Sequence, residues 1–152
     1  MFEADSSFEG FVRRIEPRLH DALSAALGNY EGREATADAL AYAWEHWPRI
    51  REMENPGGYL YVRGRHRGRQ RVERQPLALI PADDVTTPWF EPGLPPALVS
   101  LPTQQRVVVM LLYCFEWTMS EVAGFLEISK SSVQTHAERG MARLRDQMGV
   151  RA

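Results

Sequence analysis

Cysteine is nearly missing from this chain. Cys114 is the only one in 152 residues, so no intrachain disulfide can form and a reducing compartment is expected. Lysine is equally scarce: Lys130 stands alone among 18 basic residues, the rest being arginine. Long apolar runs are absent too. The longest, Val107 to Phe115, has nine residues, whereas spanning a bilayer takes about 20, so no membrane insertion is expected. The first residues, Met1-Phe2-Glu3-Ala4-Asp5, are acidic where a signal peptide is basic, which points to a cytoplasmic protein. His20, His46, His66 and His136 are scattered, with no Cys or carboxylate at ligand spacing, so no metal site is expected. No nucleophile–base pair, Gly-rich phosphate loop or carboxylate pair stands out, which argues against an enzyme and against a cofactor.

Charge is present but unevenly placed. The net value of −2 hides four blocks. Residues 1–56 carry six arginines against eleven acids, and residues 57–75 six arginines against one. Residues 76–99 carry three acids and no base, and residues 100–152 six bases against five acids. A chain that is acidic, then sharply basic, then acidic keeps nucleic acid open as a partner.

Apolar periodicity predicts helices throughout, and the fold class is all-α. Phe8, Phe11, Val12, Ile15, Leu19, Leu23 and Leu27 recur at three and four, with Ser6 or Ser7 as N-cap and Pro17 expected to kink or split the helix. A second stripe runs through Ala37, Leu40, Ala41, Trp44 and Trp47 up to Pro48. The two tryptophans are either core or an exposed partner anchor. Asn55-Pro56-Gly57-Gly58 reads as a turn before a helix from Tyr59, which Gly64 and Gly68 weaken by about 1 kcal/mol each. Residues 76–96 hold six prolines and no helical period, the composition of a semi-stiff linker. The expected organisation is therefore two small helical domains, 1–75 and 97–152, joined by an acidic Pro-rich linker over 76–96.

Two segments carry chemistry. Met119 to His136 has the spacing of a helix-turn-helix: Ala123 lets two helices cross closely, while Leu126, Ile128 and Val133 fill the wedge. Ser129 caps a last helix that stacks Val133, Ala137, Met141, Leu144 and Met148 inward. Lys130, Ser131, Ser132, Gln134, Thr135 and His136 then face outward, the short polar and cationic set that major-groove reading needs. Glu127 takes the turn position, where a positive φ favours glycine. The second segment is the basic peak. On a helix, Arg63, Arg67, Arg71 and Arg74 fall within about 80° of one another, with Arg65 and Arg69 opposite. One face thus offers a strip of phosphate contacts, and Tyr59 and Tyr61 could stack on unpaired bases.

Together the two halves resemble the extracytoplasmic function (ECF, group 4) sigma factors, whose helical regions 2 and 4 are joined by a linker. Leu101-Pro102-Thr103-Gln104-Gln105-Arg106 looks like the opening of region 4. Ser120-Glu121-Val122-Ala123, Leu126-Glu127-Ile128-Ser129, Ser132-Val133-Gln134-Thr135-His136, Arg139-Gly140 and Leu144-Arg145 follow its pattern in order. Val133-Gln134-Thr135-His136 is also similar to LuxR-type output domains. The first half distinguishes them: Glu34-Ala35-Thr36-Ala37-Asp38, Trp44, Trp47, Asn55-Pro56-Gly57-Gly58-Tyr59-Leu60 and the arginine run resemble region 2. The family's usual Gln-Glu pair is Ala41-Tyr42 here, a common Asn is His66, and an expected Asp is Gln70.

The resemblance implies a function and assigns roles. An ECF-type sigma factor directs RNA polymerase core to bipartite (−35/−10) promoter DNA to initiate transcription. Lys130, Ser131, Ser132, Gln134, Thr135, His136 and Arg139 would contact the −35 element. Tyr59, Arg63, His66, Arg67, Arg71 and Arg74 would contact the −10 element. Asp38, Ala41, Tyr42, Trp44 and Trp47 would dock on polymerase, and an anti-sigma protein would be a further partner. The alternatives are a sigma-derived DNA-binding regulator, or a mimic that titrates an anti-sigma protein without using polymerase productively.

Overall fold

The computed structural model describes residues 7–72 and 93–149, with side chains up to Arg69 and from Gly93 onward. Among the described residues there is no strand. In chain order the helices are α1 (Phe8–Leu27), α2 (Asn29–Glu45), α3 (Trp47–Ile50), α4 (Pro56–Val72), α5 (Leu94–Ser100), α6 (Thr103–Val109), α7 (Met119–Leu126) and α8 (Lys130–Gln147). A π-helical turn, Met110–Cys114, continues α6.

α1 forms where its period predicts it. The Ser7 hydroxyl accepts from the Gly10 N–H at 3.1 Å, and the helix ends at Gly28 with φ 93°. Pro17 neither splits nor ends it; the proline lies on the exposed face, where its ring and the lost hydrogen bond meet solvent. α2 begins at once, so the Gly28-Asn29 break is a single residue wide.

The buried face of α2 differs from the expected stripe. Gly32, Ala35, Thr36, Ala39 and Ala43 are buried, while Ala37, Ala41 and Trp44 are exposed and Leu40 and Trp47 half-buried. Small residues win because α1 and α2 cross closely: a Cβ on Gly32 would sit 2.5 Å from the Ser24 Cα, a gap no indole could enter. α4 uses the same device. A Cβ on Gly64 would lie 3.1 Å from a Leu23 methyl, and one on Gly68 would overlap Leu27. The two glycines that weaken α4 as an isolated helix are those that seat it on α1.

Asn55-Pro56-Gly57-Gly58 is a helix start rather than a free turn. Pro56 opens α4, and the Asn55 Oδ1 accepts from the Gly58 N–H at 3.1 Å, the N-cap and N1 chemistry these residues favour. At the far end of the linker, Leu94, Pro95 and Pro96 form the first turn of α5, so helix begins inside the stretch read as tether. Residues 76–92 of that stretch lie outside the described residues.

α1, α2 and α4 pack on one another, α6 packs on α8, and the groups meet where α1 lies against α6 and α7 against α4. Polar contacts cross this seam. Arg18 pairs with Glu121, and the Trp117 indole N–H donates to Asp21 at 3.3 Å. Burial raises the Asp21 carboxyl above its ordinary value, the Trp117 bond working against it.

Candidate nucleic-acid interface

The helix-turn-helix is fixed at each joint by local chemistry. α7 starts with a capping box: the Glu121 N–H donates to the Thr118 hydroxyl at 3.1 Å, and the Thr118 N–H donates to the Glu121 carboxylate at 2.9 Å. These bonds, with Arg18, hold Glu121 down at about 2. α7 ends at Glu127 in the left-handed region, φ 56° and ψ 46°, the positive-φ turn expected at that position. The Ile128 N–H reaches back to the Ala123 carbonyl at 3.1 Å. Ser129 then caps α8, accepting from the Ser132 N–H at 3.0 Å.

With Val133, Ala137, Gly140 and Leu144 buried, α8 presents Lys130, Ser131, Gln134, Thr135 and Arg139 to solvent. Ser132 and His136 are half-buried. The Ser132 hydroxyl is also engaged, accepting from Ser129 at 3.0 Å. Gln134 donates to Glu138 at 3.0 Å, one turn on. The result is an exposed polar face with two cations, carried by a helix whose N-terminal turn is capped and open.

The first half presents a second face, and it is more compact than the sequence suggests. Tyr42 of α2 lies against α4: the Arg63 guanidinium sits 3.6 Å from the Tyr42 ring centre, and the Tyr42 and Tyr59 hydroxyls are 3.4 Å apart. Arg49, just after the α2 end, donates to the Tyr42 hydroxyl and, at 3.4 Å, to that of Tyr59. His46 stacks on Tyr42 with ring centres 4.1 Å apart. The hydrogen bond from Tyr42 and then the nearby arginines lower the Tyr59 phenol below its ordinary value. Two tyrosines and two arginines thus form one surface patch of π-faces and fixed donors.

The expected site residues distribute as follows. Arg67 and His66 are exposed beside this patch, and Asp38 lines a shallow notch with Arg63 and Arg67. Arg71 is in α4, its side chain undescribed, and Arg74 lies outside the described residues. Tyr61 is a correction: it is 2% exposed, its ring 5.9 Å from that of Phe125, so it packs in the core and cannot stack on a base. Arg65 turns away, toward Gln104 at 3.4 Å. Of the docking set, Ala41 is exposed and Trp44 is 64% exposed, with its ring 5.1 Å from Phe8. Trp47 is half-buried between Phe8 and Phe11 at 5.3 and 5.0 Å. Arg49 escapes a sequence reading, because it stands fourteen residues before Arg63 and joins the patch only through the short helix α3.

Among the described residues no cluster of His, Cys, Asp or Glu could hold a metal ion, and no helix is long and apolar enough to cross a membrane. Residues 96–144 match the family model described as Sigma-70, region 4. No curated protein matches the chain. Among solved structures, it is similar to the sigma factor RpoE from Bartonella quintana, determined in complex with the anti-sigma factor NepR. The TM-score is 0.65 over 95% of this chain and 98% of that one, at 16% identity. The family match is thus confined to the second half, while nearly the whole chain shares the all-helical fold of that solved structure.

Proposed function

We propose that the protein is an ECF-type sigma factor that brings RNA polymerase core to bipartite promoters. The observation that carries this reading is the pairing of two exposed basic faces on one chain. One is the capped α8 of a region 4 helix-turn-helix; the other is the arginine–tyrosine patch of α4 and α2. In this reading residues 1–75 act as region 2, residues 76–96 as linker and residues 97–152 as region 4. Lys130, Ser131, Gln134, Thr135 and Arg139 contact the −35 element, with Ser132 and His136 at the edge of that face. Tyr59, Arg63, His66 and Arg67, joined by Arg71 and Arg74, engage the −10 element, where Arg49 is an added member. Trp44, with Asp38, Ala41, Tyr42 and Trp47 around it, docks on polymerase. The protein works inside the cell and catalyses no reaction of its own. The relative solved with NepR supports an anti-sigma protein as a further partner.

Tyr42 supports a second reading, a sigma-derived DNA-binding regulator. Its ring serves the Arg63 and Tyr59 patch rather than standing free for polymerase. In vitro transcription with core polymerase separates the two. Promoter-dependent initiation that drops at least about tenfold in Trp44→Ala supports the sigma factor. Tight duplex binding by α8 with no association with core supports the regulator.

A further inference from the structure

The single lysine of this chain stands where stability and phosphate contact both favour another residue. Of the 18 basic residues only Lys130 is not arginine, and it is the first residue of α8. Several arginines do what a planar fork does best. Arg106, 5% exposed on α6, donates only to backbone carbonyls. Its Nε reaches Ala25 and one Nη reaches Ala26, both at 2.8 Å, while the other Nη reaches Leu101 at 3.1 Å and Val99 at 3.3 Å. Arg18 pairs with Glu121 and lies 4.8 Å from the Trp117 ring centre. Lys130 has no comparable partner: it is exposed, and among the described residues no carboxylate pairs with it.

Two preferences argue against a lysine at this position. A cation at a helix N-terminus sits against the positive end of the helix dipole, and α8 has no acidic residue in its first turn to offset it. For phosphate contact alone, arginine offers a bidentate fork, and this chain uses arginine at every other basic position. What lysine adds is a primary amine whose charge is removed by acylation.

That charge matters on this face. Lys130 and Arg139 stand there against Glu127 and Glu138, all four exposed. One acetyl group on Lys130 turns an even balance negative, at the turn that opens the helix-turn-helix reading helix.

We propose that Lys130 is an acylation site, the one ε-amine of the chain, at which an acyl phosphate switches off duplex binding by α8 and leaves the arginine face of α4 intact. The effect on DNA rests on the reading of α8 proposed above; the site itself does not. In the step, the neutral Nζ attacks the carbonyl carbon of acetyl phosphate. The amide C–N bond forms and the C–O bond to phosphate breaks. Phosphate leaves with that bonding pair, the amine proton passes to solvent, and nothing is oxidised or reduced. Each phosphate neutralised on a duplex contributes about 0.9 to the slope of log affinity against log salt. Losing one therefore weakens binding about eightfold at about 0.1 M salt and about twofold at about 0.5 M.

The full-length chain is incubated with acetyl phosphate beside a lysine-containing reference peptide, and mass-spectrometric peptide mapping locates the acetyl group. Anisotropy with fluorescein-labelled random-sequence duplex and single strand reads binding, and circular dichroism reads helicity. Acetylation at Lys130 is expected, with the eightfold loss on duplex, the stated salt dependence and little change on single strand. Lys130→Gln should bind as the acetylated chain does, with unchanged helicity. Lys130→Arg should bind duplex like wild type and ignore acetyl phosphate. An unmodified Lys130 beside an acetylated reference peptide overturns the site. Acetylation without weaker duplex binding overturns the switch, as does an equal loss in treated Lys130→Arg or a loss that comes with lost helicity. Duplex binding that is absent before any treatment counts against the DNA-reading role of α8 and removes the switch with it, a result distinct from normal binding that acetylation leaves unchanged.

Discussion

The seat of α8 can be tested with a single methyl group. Gly140 is buried in the middle of α8 where it crosses α6, and a Cβ there would come within 2.6 Å of Val109 Cγ2. Valine is stiff at χ1, so that methyl cannot swing aside, and either the helix or the valine must move. Two effects compete in Gly140→Ala. Alanine favours the helix by about 1 kcal/mol over glycine. Overpacking a well-filled contact costs about 1–3 kcal/mol. The net expectation is between no change and a loss of about 2 kcal/mol.

Gly124 supplies the matched control, since it too is helical and a Cβ there meets nothing within 4 Å. Gly124→Ala should gain about 0.5–1 kcal/mol. In a chain of this size each kcal/mol moves the melting temperature by about 2–4 °C. Calorimetric or circular-dichroism melts should therefore place Gly140→Ala below Gly124→Ala, by about 1 °C at the least and about 12 °C at the most. If Gly140→Ala melts as high as Gly124→Ala, the close α6–α8 crossing is wrong, and so is the position of the exposed face that α8 presents.

Two further outcomes follow from the electrostatics. Glu121 has its carboxyl lowered from 4.5 to about 2 by the Thr118 capping bonds and Arg18, so its contribution is complete above pH 4.5 and disappears as pH falls toward 2. The urea midpoints of wild type and Glu121→Gln should thus differ at pH 7 and converge near pH 2, and a constant gap would refute the capping role. For DNA, Arg63→Ala/Arg67→Ala should lower the slope of log affinity against log salt on single strands by about 0.7 for each phosphate no longer neutralised. An unchanged slope would remove these arginines from the interface.

Much of the second half was legible because its information is local. Val133, Ala137 and Leu144 repeat with the helix and are all buried, while Ser129 caps where a capping residue precedes an apolar run. The all-helical class was legible for the same reason. α2 misled because burial there follows size rather than hydropathy: the close crossing with α1 admits Gly32 and Ala39 and leaves Trp44 outside. The arginine–tyrosine face was half legible. The arginine period placed Arg63, but Tyr42 and Arg49 arrive from α2 and the start of α3, through contacts no local pattern encodes. Arg106 carried one faint sign, a charge next to the apolar run that starts at Val107. Its partners Ala25 and Ala26 stand about eighty residues upstream.

The carbonyl cage around Arg106 also determines which stimuli this contact can sense. Backbone carbonyls do not titrate, and a guanidinium stays protonated at any pH a cell reaches. Shielded from solvent, these bonds are weakly screened by ions. Acid stress and osmotic upshift would therefore pass over this contact unregistered. Only a competing macromolecular surface or thermal loosening is positioned to break this contact, so information reaches it by recognition rather than by chemistry.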